Sequence, residues 1–209
     1  MCNSLVQVET ILNNTRRNQK KGLLFVVSAP SGAGKTTLCR KLVEDVEGAV
    51  YSISTTSRSP RPAEKDGYDY FFVSREKFME KVKGSCMMEW AEVHGNLYGT
   101  EKKFIEENLA SGRHVICDLD VQGAEKVKNE YKETVLIFIL PPSASELRAR
   151  LEKRKQDSIE EIKKRLENSY AEMARSDKYD YYIINEDFNV ALSEMKSIIS
   201  AEKCRNRWR

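Results

Sequence analysis

The sequence predicts a doubly wound α/β fold, a mainly parallel sheet with helices on both faces, interrupted by one inserted, mostly antiparallel lobe. Two observations indicate it. Five short apolar runs of the kind found in buried parallel strands alternate with helical patterns, and residues 55–111 break this alternation. The 209 residues suffice for one α/β core plus an insertion, which predicts one compact unit with subdomains.

The core elements follow in order along the chain. After the first strand, Leu38, Leu42 and Val46 recur at helical spacing, and Gly48 lies just beyond them. A second helical stretch covers residues 122–131, between two later strands. The five predicted strands are 23–28, 50–54, 114–118, 134–140 and 181–184.

The remaining segments give the domain organisation. Residues 22–54 and 112–209 form the predicted core, and 55–111 form the insertion, which contains an aromatic strand at 68–73, a helix at 74–83 and a strand at 87–93. A charged stretch within 150–165 is either a solvated charge run or a mobile lid. Residues 1–21 are a flexible leader, with an organelle-targeting segment as the alternative.

Composition excludes several classes of function. The charges are 35 Lys and Arg against 32 Asp and Glu, a net +3 that is too balanced for a nucleic-acid binder. Five widely spaced cysteines contain no C-x-x-C pair, so we expect reduced thiols and a cytoplasmic protein. No run of eighteen apolar residues occurs, so no membrane span is expected.

The strongest motif is a Walker A loop that directly follows the first strand and precedes a helix. Its glycines let backbone N–H groups turn toward phosphate oxygens, Lys35 can bridge the transferring phosphates, and the Thr36 hydroxyl can bind Mg²⁺. Ala29 replaces the usual first glycine, so its backbone must suit an L-residue. The fold is thus of the P-loop NTPase type. The predicted ATP-binding residues here are Ala29, Pro30, Ser31, Gly32, Ala33, Gly34, Lys35, Thr36 and Thr37.

Asp118 ends the strand at 114–118, where a carboxylate at the carboxyl edge of the sheet can hold Mg²⁺ directly or through water. This is a Walker B interpretation. The alternative is that Asp118 caps the next helix.

A P-loop alone does not separate kinases from GTPases, so the acceptor side must decide. Arg58 and Arg61 stand three residues apart among prolines and hydroxyls, a rigid fork suited to a phosphate monoester. The alternative is that both arginines are merely solvated.

From residue 23 to about 203 the chain resembles the guanylate kinase family. The matching segments are SAPSGAGKTT, STTSRSPRP, GYDYFFV, EWAEVHGNLYGT, DLDVQGA, FILPPS and YYIIN. The resemblance implies a kinase that uses Mg²⁺ to transfer the γ-phosphoryl group of ATP to GMP, and to dGMP, with 55–111 as the GMP-binding lobe and a small arginine-bearing lid. It implies that the GMP phosphate binds Arg58, Arg61, Tyr70 and Tyr98, and that the guanine binds Ser54, Glu89, Thr100 and Asp120.

The chemistry of Glu89 agrees with this assignment. A carboxylate accepts both the guanine N1–H and the 2-amino group, whereas adenine offers neither donor there. The alternative is an ordinary surface acid beside Trp90. The resemblance also implies that Arg150, Arg154 and Arg165 reach the ATP phosphates from the lid and that Asn185 lies on the adenine side, so the implied catalytic residues are Lys35, Arg58 and these arginines.

Two other functions stay open at this point. One is a non-catalytic, guanylate-kinase-like protein-interaction module, although such modules typically lack a working P-loop. The other is a related P-loop kinase with a different phosphorylated acceptor. The predicted partners are ATP and GMP, and the sequence leaves the oligomeric state open.

Overall fold

A computed structural model describes residues 2–19, 21–93, 95–152 and 159–205. The strands are β1 (Leu24–Ser28), β2 (Ala49–Ser52), β3 (Thr55–Thr56), β4 (Phe71–Phe72), β5 (Met87–Val93), β6 (Asn96–Glu101), β7 (His114–Asp118), β8 (Val135–Leu140) and β9 (Tyr181–Ile184). The helices are α1 (Cys2–Gln19), α2 (Lys35–Asp45), α3 (Arg75–Lys83), α4 (Lys102–Ala110), α5 (Val121–Glu130), α6 (Ala144–Glu152), α7 (Ile159–Ala174) and α8 (Phe188–Cys204).

The large sheet has five parallel strands in the order β2-β7-β1-β8-β9, which confirms the predicted parallel core. Successive residues of its central strand face opposite sides. Phe25 and Val27 pack toward α2 and α8, whereas Leu24 and Val26 pack toward the side of α5 and of Ile105 in α4. Because both faces are covered, the strands read as continuous apolar runs.

The insertion contains a four-stranded sheet in the order β4-β3-β6-β5. Its β3–β6 and β5–β6 pairs are antiparallel and its β3–β4 pair is parallel. We call β3 to β6 together with α3 the small-sheet lobe. It lies beside the carboxyl edge of the large sheet, where β2 passes into β3 and the Ser54 carbonyl accepts a 2.9 Å hydrogen bond from the Phe71 backbone N–H.

Two elements differ from the sequence prediction. The aromatic strand expected at 68–73 is only Phe71–Phe72, because residues 65–70 close a turn through their own hydrogen bonds. Residues 1–21, expected to be a flexible leader, contain α1. Val6, Val8, Ile11 and Leu12 of α1 are 49–64% exposed, so these residues form no buried apolar stripe of the kind that marks a helix in a sequence. Within the described ranges, no helix has the length and apolar character needed to span a membrane.

Candidate active site

The Walker A loop joins the end of β1 to the start of α2, as predicted. Gly32 and Gly34 have φ values of +93° and +88°, in the left-handed region that favours glycine. A Cβ atom on Gly34 would also lie 2.6 Å from the Asn185 amide nitrogen. Ala29 is not among the residues with positive φ, so alanine is compatible with its position. Both glycines are therefore fixed by backbone geometry.

Asn185 holds this loop through a hydrogen bond to its backbone. Its amide nitrogen donates a 2.7 Å hydrogen bond to the Ala33 carbonyl, and the residue is buried. The backbone carbonyl of Asn185 accepts a 3.3 Å hydrogen bond from the Arg150 guanidinium, which also pairs with Glu146 at 2.9 Å. The side chain is thus directed at the P-loop backbone, and the adenine contact stays a prediction.

Lys35 and Asp118 form the charged centre of the donor side. The Lys35 Nζ lies 2.5 Å from Asp118 Oδ1 and donates to the Leu119 carbonyl at 3.0 Å. Burial lowers the pKa of Lys35, but the adjacent Asp118 carboxylate outweighs this effect, so the net shift is upward and the ammonium stays charged. The Thr36 hydroxyl donates to Asp118 Oδ2 at 2.7 Å.

The helix cap at the end of β7 is Asp120, not Asp118. Asp120 Oδ1 accepts a 2.7 Å hydrogen bond from the Gly123 backbone N–H at the start of α5. The capping alternative for Asp118 was therefore wrong. Its carboxylate is left to face Lys35 and Thr36.

One cleft of about 540 Å³ joins the P-loop to the small-sheet lobe. It brings together most of the predicted residues of both substrates, although they come from distant parts of the chain. The lining includes Ala29, Pro30, Ser31, Gly32, Gly34, Lys35, Thr36, Thr37, Ser54, Tyr70, Glu89, Tyr98, Asp118 and Asp120.

Arg58 stands beside this cleft, held by a carboxylate that the sequence analysis missed. Its NH2 nitrogen lies 2.7 and 2.9 Å from the two oxygens of Glu64, and its NH1 donates to the Ser59 carbonyl at 2.8 Å. The guanidinium carbon lies 5.6 Å from the centre of the Tyr70 ring. The hydrogen bond with the Arg58 guanidinium lowers the pKa of the Glu64 carboxyl below its ordinary value. The guanidinium is thus fixed beside the cleft by Glu64 and the Ser59 carbonyl.

Arg61 is less restrained than Arg58. Its side chain is 71% exposed and comes no nearer than 4.0 Å to Glu64, although its backbone N–H donates to Glu64 Oε2 at 2.8 Å. The spacing Arg58, Arg61, Glu64 could have revealed the carboxylate, because an acid three residues past the second arginine can close the same turn.

Glu89 is buried at the other end of the cleft, which contradicts the surface-acid alternative. Its Oε1 accepts a 2.8 Å hydrogen bond from the Thr100 hydroxyl. A Cβ atom on Gly123 would lie 3.2 Å from both Glu89 Oε2 and Asp120 Oδ1, so the two carboxylates approach one another across this glycine. Burial, aided by Asp120, raises the pKa of Glu89.

Glu172 on α7 is a further carboxylate in the cleft that the sequence analysis missed. Its pKa is raised by burial and by Asp120, while Lys35 opposes the rise. Among the predicted lid arginines, Arg150 lies at the end of α6 and Arg165 on α7, and Arg154 lies outside the described residues.

The donor set suits a hard divalent cation. Thr36 and Asp118 present a hydroxyl and a carboxylate 2.7 Å apart at the P-loop. Mg²⁺ prefers oxygen ligands and usually takes only one or two from the protein, the remainder coming from water and phosphates. In the described part of the chain no group of three or more acidic, Cys or His side chains is arranged to hold a metal by itself.

Comparisons with known proteins point to one family. A sequence model described as "Guanylate kinase" matches residues 21–202. The guanylate kinases of Caldanaerobacter subterraneus subsp. tengcongensis and Geobacter sulfurreducens are each 48% identical over 187 residues, covering 90% of this chain and 91% and 92% of theirs. A crystal structure of guanylate kinase from Anaplasma phagocytophilum aligns with a TM-score of 0.75 and 35% identity, covering 90% of this chain and 92% of that one.

Proposed function

The chain belongs to the guanylate kinase family and phosphorylates GMP with ATP, and we propose that the single cleft holds both substrates, with a donor end and an acceptor end. One observation carries the proposal. Lys35 of the P-loop, Asp118 at the end of β7, and Glu89 and Tyr98 of the small-sheet lobe line the same space. Two phosphorylated nucleotides can therefore meet there in line.

At the donor end, residues 29–37 bind the ATP phosphates. The backbone N–H groups of the loop and the start of α2 supply partial positive charge, and Lys35 supplies a full one. The Asp118 carboxylate holds the Lys35 ammonium at the P-loop, where the ATP phosphates would bind. Asn185, below the loop, keeps the Ala33 peptide in place.

The kinase needs a divalent metal, and we propose that it is Mg²⁺, held by Thr36 and by Asp118 directly or through water. A metal there would neutralise charge on the phosphates as it develops during transfer. Thr36 and Asp118 already lie in hydrogen-bonding contact.

At the acceptor end, Arg58, Arg61, Tyr70 and Tyr98 bind the GMP phosphate. The second pKa of a phosphate monoester is about 6, so the attacking oxygen is already anionic near neutral pH and no general base is required. The work of the protein is to bring two polyanions together and to compensate their charge. Arg58 is suited to this because its guanidinium is fixed by Glu64 and packed near the Tyr70 ring.

Recognition of the base falls to Glu89, assisted by Ser54, Thr100 and Asp120. The Thr100 hydroxyl bonds to one oxygen of Glu89 and orients the carboxylate to receive the guanine N1–H and 2-amino groups. An adenine in this place would leave a buried carboxylate unpaired, which is costly.

The lid arginines Arg150, Arg154 and Arg165 supply further positive charge to ATP. Arg150 is near the donor end already, since it bonds to the carbonyl of Asn185, whose amide supports the P-loop. We also propose dGMP as an acceptor and a cytoplasmic location, which the widely spaced cysteines favour.

A coupled assay of ADP release with ATP, Mg²⁺ and each of GMP, dGMP, AMP, CMP and UMP tests the assignment. We expect GMP and dGMP to be used and GMP to exceed AMP by roughly ten-thousand-fold in kcat/KM, the discrimination expected of a site built to hydrogen-bond the base. A preference for another base would refute the role of Glu89. Binding of GMP without ADP release would instead favour the interaction module.

A further inference from the structure

Arg40 lies on α2, five residues beyond Lys35, and reaches out of the core to the small-sheet lobe. Its NH2 nitrogen donates a 2.6 Å hydrogen bond to the carbonyl of Tyr68, and its guanidinium carbon lies 3.8 Å from the centre of the Tyr68 ring. Asp69 lies 3.6 Å away. The guanidinium is therefore held by a carbonyl, a ring face and a carboxylate of one short segment.

Arg40 also lies near a residue of the large sheet that contacts the donor end. Its guanidinium carbon lies 5.1 Å from the centre of the Tyr51 ring, on β2. The Tyr51 hydroxyl lies 3.3 Å from Asp118 Oδ2, the carboxylate that also accepts from Thr36. Contacts thus run continuously from the metal-binding carboxylate to the lobe.

The segment that Arg40 contacts is a compact turn just before Tyr70. Its ends are joined by a 3.0 Å bond from the Asp69 N–H to the Lys65 carbonyl and a 2.8 Å bond from the Lys65 N–H to Asp69 Oδ2. Gly67, with a φ of +71°, donates to the Tyr70 carbonyl at 2.8 Å. A turn closed in this way moves as a unit, so its position also sets that of Tyr70.

We propose that Arg40 is a positioning residue that fixes the acceptor lobe relative to the P-loop. It acts through the turn at 65–70 and through Tyr70, whose ring lies 5.9 Å from that of Tyr98 in the cleft. The inference rests on the proposed function, because it takes Tyr70 and Tyr98 to bind the acceptor phosphate. Arg40 itself is not among the residues that line the cleft.

Loss of this bridge should affect phosphoryl transfer more than the binding of either substrate alone. The P-loop and the acceptor residues remain intact, but the two phosphates are no longer held at a fixed separation, and misplacement by about 1 Å can cost a hundred-fold in rate. Since the removed contact is one charge-assisted hydrogen bond with its ring stacking, we expect about a ten-fold fall in kcat.

The test compares Arg40→Ala and Arg40→Lys with Arg75→Ala. Arg75 is a matched control because it donates to the Gly95 carbonyl at 3.0 Å and pairs with Glu92 at 2.9 Å, wholly within the lobe. We expect kcat to fall about ten-fold in Arg40→Ala, to recover partly in Arg40→Lys, and to change less than two-fold in Arg75→Ala. The Kd of ATP, measured by calorimetry with ATP alone, should change less than two-fold in all three.

A second readout is independent of activity. The amides of Gly67 and Phe72 bond to the Tyr70 carbonyl and to Asp66 within the turn. Their hydrogen exchange should accelerate several-fold in Arg40→Ala and stay unchanged in Arg75→Ala. If wild-type enzyme released no ADP with GMP, the proposed function would fail, and this measurement would still decide whether Arg40 orders the turn.

Three outcomes would overturn the proposal: an unchanged kcat in Arg40→Ala, an equal loss in Arg75→Ala, or unchanged exchange in the turn. Tyr68→Leu removes the ring but keeps the carbonyl, so it gives the same comparison should Arg40→Ala fail to fold. It should lower kcat by a few-fold, with the Kd of ATP unchanged.

Discussion

The donor and acceptor ends of the cleft each hold a phosphate-binding cation on a carboxylate, but they do so by different means. Lys35 pairs with Asp118, which comes from β7, the strand beside β1 in the large sheet. Arg58 pairs with Glu64, six residues away in the same turn. The donor pair is therefore placed by the core of the fold, and the acceptor pair by a local loop.

This difference predicts how each end responds to mutation. The donor lysine is set by β1, the P-loop and α2, so its charge can be removed while the scaffold persists. The acceptor arginines depend on a loop whose members differ in restraint, since Arg58 is 17% and Arg61 71% exposed. The same substitution at Arg58 and at Arg61 should therefore lower kcat/KM for GMP by different amounts.

The largest effect is expected at the donor end. Lys35→Met should lower kcat by about a hundred- to a thousand-fold, because the charge acts mainly on the transition state, with circular dichroism and GMP binding unchanged. The measurements are steady-state kinetics and calorimetry with GMP alone. Activity within ten-fold of wild type would show that the donor lysine is dispensable, and the donor end would then not be the more sensitive of the two ends.

An intermediate effect is expected at the acceptor end. Arg58→Ala should lower kcat/KM for GMP by roughly ten- to a hundred-fold, as loss of a charge-assisted hydrogen bond implies, with little change in ATP affinity or Tm. Arg61→Ala should cost less, because an exposed side chain loses more conformational freedom on binding the phosphate.

Both acceptor variants are measured side by side for GMP kinetics, ATP affinity and Tm. Arg58→Lys should restore only part of the activity, since an ammonium cannot reproduce the planar fork. Equal losses for Arg58 and Arg61 would show that restraint by Glu64 has no effect on binding. A large fall in Tm with proportionate loss of everything else would make the arginines structural.

The smallest effect concerns stability and separates the two ends by their carboxylates. Glu89 has a hydroxyl as its hydrogen-bond partner, whereas Asp118 has the Lys35 ammonium. Because burial raises the pKa of Glu89 above the ordinary value of 4.5, ionisation of Glu89 destabilises the folded state as the pH rises through that raised pKa. Glu89→Gln should therefore raise Tm by roughly 1–3 °C at neutral pH while GMP use falls.

This gain should shrink as the pH falls toward and below 4.5, where Glu89 is protonated in both states. Asp118→Asn is the contrasting variant, and it should lower Tm at neutral pH because it removes the carboxylate that pairs with the partly buried Lys35 ammonium. Thermal melts of both variants between pH 4 and pH 8 measure the difference. A lower Tm for Glu89→Gln would show that the carboxylate is structural.

Much of the fold could be predicted from periodicity. The strands β7 and β9 have the predicted bounds, because buried strands of a parallel sheet are unbroken apolar runs flanked by polar turns. Residues 68–70, which end the turn at 65–70, were predicted as part of a strand at 68–73, since aromatic residues favour β structure. The closing bonds of this turn come from Asp66 and Asp69, which sequence propensity alone did not weigh correctly.

The sequence by itself determined the chemistry that is written in contiguous residues. Between β1 and α2, a loop of this composition predicts phosphate binding, because its backbone geometry directs the N–H groups and Lys35 toward the same place. The order of the segments was also sufficient to identify the family, since seven separate motifs of guanylate kinases occur along this chain.

Only the tertiary structure decided which side chains meet. The contacts of Glu64 with Arg58, of Asn185 with Ala33 and of Arg40 with Tyr68 join residues whose types are common anywhere on a protein surface. The physical reason is that a hydrogen bond depends on distances of about 3 Å, which packing of the whole chain sets, whereas sequence patterns record only the period of local structure.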